Sequence, residues 1–141
     1  MRRIVGLVVV ALAALAAFDA IVRWRSGHVD EGVRAVRVQI QVLGTALDTL
    51  RCDVGRYPTS DEGLRALRER PAGLAAWDGP YLTRDVPADS WNRPYIYRAI
   101  GDGYELSTLG ADARPGGRGD DADEVGRPEP WVDDARCRRS R

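Results

Sequence analysis

The chain has 141 residues, enough for one modest core with appendages. Its 21 basic and 21 acidic residues balance to zero, which argues against a dedicated nucleic-acid binder. Every basic residue is arginine, a bias of composition rather than of mechanism. Two cysteines, Cys52 and Cys137, allow either one disulfide in an oxidising compartment or two unpaired thiols.

Arg2 and Arg3 precede an apolar run from Ile4 to Phe18, and a mixed segment continues to Val22. The run alone falls short of the roughly 20 residues a membrane span needs. Extension through Asp19 nearly reaches that length, because an acid near the interface costs less than one at the centre. Asp19 can also pair with Arg23 one turn on. The leading arginines would hold the N-terminus in the cytoplasm and send the rest outward. A retained anchor over residues 1–26 is the reading adopted. Its competitor is a cleaved signal peptide with small residues such as Ala14 and Ala16 at the processing site. Either way the main domain is exported.

Val33, Val36, Ile40, Leu43, Leu47 and Leu50 recur at spacings of three and four, one stripe of an amphipathic helix. Joined to the apolar segment, this helix makes a rod of about 45–50 residues, roughly 70 Å long. Gly27 is a place for a bend or break, and Gly55 and Pro58 close the helix. Thr59-Ser-Asp-Glu62 fits a capping box, with a short helix through Leu64 and Leu67 that Pro71 stops. Residues 72–93 read as a packed loop whose aromatics, Trp77, Tyr81 and Trp91, need burial. Tyr95–Ile100 and Tyr104–Leu109 alternate as two antiparallel strands around a turn at Gly101-Asp-Gly103. A polar tail, residues 127–141, has Trp131 as its only large apolar anchor. Its arginines, Arg136, Arg138, Arg139 and Arg141, form either a solvated end or a contact for anionic lipid or nucleic acid.

Between the second strand and the tail, Asp112, Asp120, Asp121 and Asp123 surround a glycine-rich loop. Carboxylates this dense repel one another unless a cation lies between them. Hard oxygen ligands on an irregular loop suit Ca²⁺. The pattern is not an EF-hand: Val125 takes a ligand position and no glutamate closes the loop. The alternative is a solvated acidic linker. Catalysis finds no support. His28 has no partner in view, neither cysteine has a nucleophile motif, and Ser90 and Ser107 lie in no nucleophile elbow. The adjacent Asp120 and Asp121 do not flank a cleft as glycosidase acids do.

Several motifs follow one another in a specific order. They are Leu47-Asp-Thr-Leu-Arg, Gly55-Arg-Tyr-Pro-Thr59, Glu62-Gly-Leu64 and Trp77-Asp-Gly-Pro-Tyr-Leu82, then Asp89-Ser-Trp-Asn-Arg-Pro-Tyr95, Tyr104-Glu-Leu, Leu109-Gly-Ala-Asp112 and Asp121-Ala-Asp123. From about residue 30 to 125 the chain resembles the major pseudopilins of the type II secretion system. The resemblance implies an α+β, pilin-like fold: a long N-terminal helix, a short second helix, and a small antiparallel sheet carrying a calcium loop. It implies a periplasmic domain at residues 27–126 and a single-pass subunit of the inner membrane. Its partners would be further copies in a helical pseudopilus, minor pseudopilins and the inner-membrane secretion platform, and it would bind no nucleic acid. Such a pseudopilus helps drive folded proteins across the outer membrane. The implied Ca²⁺ ligands are Asp112, Asp121 and Asp123, with Asp120 and the Leu109 carbonyl as further candidates, in a structural role.

Some positions depart from the family pattern. Gly6 is followed by Leu7-Val-Val-Val-Ala11 where the family has Phe-Thr-Leu-x-Glu. That glutamate offsets a buried N-terminal amine in the filament core. Its absence keeps open a solitary membrane-tethered or secreted calcium-binding module that does not assemble. Ser90 and Asn92 stand where the family tends to have proline and glycine, and Ala113 replaces a common glycine. Asparagine tolerates the left-handed turn that position requires. Cys137 could bridge to Cys52 and pin the tail to the end of the long helix.

Overall fold

A computed structural model describes residues 2–128 and 137; within the first 30 residues it describes the side chains of 15–18, 20 and 21. The first element, α1, is one uninterrupted helix, Arg2–Val54. Gly27 neither ends nor divides it. The helix stops where Gly55 turns left-handed (φ 86°) and donates its N–H back to the Arg51 carbonyl at 2.7 Å.

From Val36 onward the predicted stripe is the core face of α1, whereas Val33 is half-buried and lies outside the core cluster. Val36, Leu43, Leu47 and Leu50 are buried, Ile40 packs beside them, and Ala46 joins them. The capping box also forms: Thr59 N–H donates to Glu62 at 2.7 Å, and Glu62 N–H donates to the Thr59 hydroxyl at 3.2 Å. The helix after it is a single 3₁₀ turn, Gly63–Leu67, whose Leu64, Ala66 and Leu67 are buried. At five residues it is about as long as 3₁₀ helices usually run.

The loop aromatics find their burial. Trp77, Tyr81 and Trp91 pack against the core, and the Trp77 indole donates to the Ala66 carbonyl at 2.8 Å. The sheet has three antiparallel strands in chain order. Strands β1 (Ile96–Ile100) and β2 (Gly103–Thr108) pair with Tyr97 opposite Leu106, around a two-residue turn at Gly101-Asp102. Tyr104, Leu106 and Thr108 alternate inward against α1. A third strand, β3 (Glu124–Gly126), pairs Leu106 with Gly126 and Thr108 with Glu124. No pattern of residues announces β3, because three residues in an acidic stretch carry no periodicity. Its last residue lies so close to α1 that a Cβ on Gly126 would come within 2.3 Å of the Ile40 side chain.

Candidate functional site

The acidic loop spans the gap between β2 and β3. Its neck is closed where Ala111 N–H donates to the Asp120 carbonyl at 2.7 Å. Its middle is closed by residues 116 and 123: Gly116 N–H donates to Asp123 Oδ2 at 2.9 Å, and Asp123 N–H donates to the Gly116 carbonyl at 3.2 Å. Asp112 Oδ1 accepts from Arg114 N–H at 3.0 Å, a turn that aspartate commonly stabilises. Asp120 and Asp121 fall in a 3₁₀ turn, Gly119–Asp121. At Gly117 (φ 88°) a Cβ would come within 2.2 Å of the Asp121 carbonyl oxygen, so glycine is what lets the two arms of the loop touch. Ala113 adopts φ 58°, the left-handed conformation that the common glycine would take without strain.

The four aspartates thus share one loop, which Leu109 enters directly from β2. Asp112 and Asp121 are exposed, whereas Asp120 and Asp123 are half-buried. Among the described residues, no three Asp, Glu, His or Cys side chains gather into a group able to hold a metal ion. Asp123 Oδ1 is buried and has no hydrogen-bond donor. A buried carboxylate oxygen without a partner is costly, and a cation relieves that cost as well as a donor does. The side chains of the loop's aspartates offer oxygen donors only, the ligand chemistry that a hard cation such as Ca²⁺ prefers.

The loop is fastened to α1 beyond its ends. Arg37 grips Glu124 with Nε at 3.0 Å from both carboxylate oxygens and Nη2 at 2.7 Å from Oε1. That carboxylate holds the guanidinium's pKa above its ordinary value. Next to the end of β2, Asp89 is buried at the centre of a tight turn. It accepts from the N–H groups of Trp91 (3.0 Å) and Arg93 (2.8 Å) and from the Thr108 hydroxyl on β2. Asn92 takes φ 62° within this turn, as its tolerance of that conformation leads one to expect. Cys52 and Cys137 form a disulfide with Cα atoms 4.9 Å apart. Trp131 and the arginines at 136, 138, 139 and 141 lie outside the described residues.

A family model for type II secretion system protein G matches residues 27–126. The chain belongs to the type II secretion protein G family. A Vibrio cholerae core protein G is 37% identical over 125 residues, covering 84% of each chain. The Pseudomonas aeruginosa core protein G is 34% identical over 96 residues, 64% of this chain and 68% of that protein. Among solved structures, the major pseudopilin of enterohaemorrhagic Escherichia coli superposes with a TM-score of 0.55 at 28% identity. It matches 69% of this chain and 87% of its own. Membership explains why no constellation of catalytic residues is needed: these pseudopilins are structural subunits. Among the described residues no helix is long and apolar enough to cross a membrane, and the side chains of residues 2–14 are not among them.

Proposed function

We propose that this pseudopilin polymerises into a type II secretion pseudopilus that helps drive folded proteins across the outer membrane. Residues 1–26 anchor it in the inner membrane, residues 27–126 form the periplasmic domain, and residues 127–141 form the tail. Its partners are further copies, minor pseudopilins and the inner-membrane platform. What carries this reading is the face of α1. Phe18 lies five helical turns before Val36 on the same side, at 3.6 residues per turn. Val36 is buried in the domain core, but Phe18 is 68% exposed, and Leu15 and Ile21 beside it are exposed too. An apolar stripe that outruns its own domain needs lipid or another subunit to cover it. Phe18→Arg is therefore expected to abolish filaments seen by electron microscopy when the chain is expressed with the secretion apparatus. The melting temperature of the globular domain should not change. Absence of filaments from the unaltered chain would instead favour the solitary module.

The second part of the reading is a structural Ca²⁺ held by Asp112, Asp121 and Asp123, with Asp120 and the Leu109 carbonyl contributing. It is supported by the buried, unmatched Asp123 Oδ1 and by the loop's all-oxygen chemistry. The ion supplies charge neutralisation and nothing catalytic. The residues themselves close the loop and set the start of β3.

A further inference from the structure

Strand β3 begins at the residue after Asp123 and is only three residues long. A strand this short does not hold its own register, so what fixes β3 also fixes Asp123. Apart from its pairing with β2, β3 is held by the closeness of Gly126 to Ile40, by the Arg37–Glu124 pair at its start and by the Arg127–Glu105 pair one residue past its end. The Arg37–Glu124 pair links residues 87 apart, from the exposed side of α1 to the exit of the acidic loop. Exposed ion pairs contribute little as a rule, but this one is bidentate, and the Glu124 side chain is only 17% exposed.

We propose that Arg37 is a positioning residue for the acidic loop. By gripping Glu124 with two nitrogens, it sets the start of β3 and hence the orientation of Asp123 for a divalent cation. The inference rests on the calcium reading above. It adds a consequence: cation binding in the loop and the order of the Arg37 face of α1 are coupled, and coupling of this kind is reciprocal.

Charge alone predicts the opposite sign, which makes the proposal testable. A guanidinium near a cation site repels the cation, so removing it would tighten binding, and removing Glu124 would weaken it. Positioning predicts that Arg37→Met, Glu124→Met and the double variant all weaken binding to a similar extent. The expected loss is about tenfold, as for other groups that orient metal ligands. The experiment is a Ca²⁺ titration of the full chain in mild detergent, in competition with a fluorescent chelator. Melting temperatures in chelator within a few degrees of the unaltered chain would separate positioning from loss of fold. Arg37→Lys keeps the charge and loses the fork, and its expected affinity is intermediate. If the unaltered chain binds Ca²⁺ and Arg37→Met binds it equally or more tightly, the positioning role is overturned alone. If the unaltered chain binds no Ca²⁺, the calcium reading falls and this inference with it.

Discussion

Replacing Glu62 with glutamine tests how the turn after α1 is held. Glu62 Oε2 accepts from Arg56 at 2.7 Å and from the Thr59 N–H at 2.7 Å, while Oε1 accepts from the second Arg56 nitrogen at 2.8 Å. The Arg56 hydrogen bonds are the main reason its pKa falls from the ordinary 4.5 to about 2; partial burial opposes them, and the Thr59 N–H adds to them. That difference corresponds to at most roughly 3.5 kcal/mol. The Arg56 side chain is 41% exposed, so solvent screening reduces the expected loss in Glu62→Gln to about 1–2 kcal/mol. For a domain near 100 residues this lowers Tm by roughly 5–12 °C. A carboxylate whose folded pKa is depressed stabilises the fold above its unfolded pKa and loses that contribution as pH falls through the folded value. The gap in Tm between the unaltered chain and the variant should be full at pH 6, about halved by pH 3, and gone below pH 2. Thermal melts followed by circular dichroism at pH 6 and pH 3 measure both. Equal melting temperatures at pH 6, or a gap that does not narrow by pH 3, would refute the reasoning.

Gly117→Ala should both strain a left-handed backbone and push the Asp121 carbonyl away, costing about 1–3 kcal/mol and erasing any calcium dependence of the melt. Calorimetry with and without calcium checks both effects. The Cys52→Ser/Cys137→Ser pair should lower stability by about 2–4 kcal/mol, since the disulfide closes residues 85 apart in sequence. Equal denaturant midpoints for the oxidised chain and the serine pair would count against that.

Much of this architecture could be read from the residues, for local physical reasons. The stripe from Val36 to Leu50 repeats with the helical period, the box at Thr59 and Glu62 closes within four residues, and the turn at Gly101-Asp102 sets the hairpin register. These signals all act over a few residues. Most of what the sequence concealed acts over longer separations. Arg37 and Glu124 are unremarkable polar residues until β3 brings them together, and β3 exists only because β2 and α1 supply its partners. Asp89 belonged to a recognisable motif, but nothing local said that its carboxylate would be buried beneath Thr108. Arg56 could not be assigned to Glu62 from a capping pattern that ends at Thr59. In the acidic loop, composition indicated oxygen chemistry and glycine turns. Only the folded structure could show that Asp123 is half-buried and carries a buried oxygen without a hydrogen-bond donor. The cysteine pairing, left open by the sequence, closes in the structure.

The most direct test of the account is thermal unfolding of the full chain in excess calcium and in excess chelator, beside Asp112→Ala, Asp121→Ala and Asp123→Ala. A ligand that binds only the folded state at a hundred times its Kd adds about 2.7 kcal/mol, a shift of roughly 10–20 °C for a domain of this size. The account predicts that shift in the unaltered chain and its loss in each variant, most completely in Asp123→Ala. Coincident melts of the unaltered chain with and without calcium would contradict it and leave the aspartates as a solvated loop.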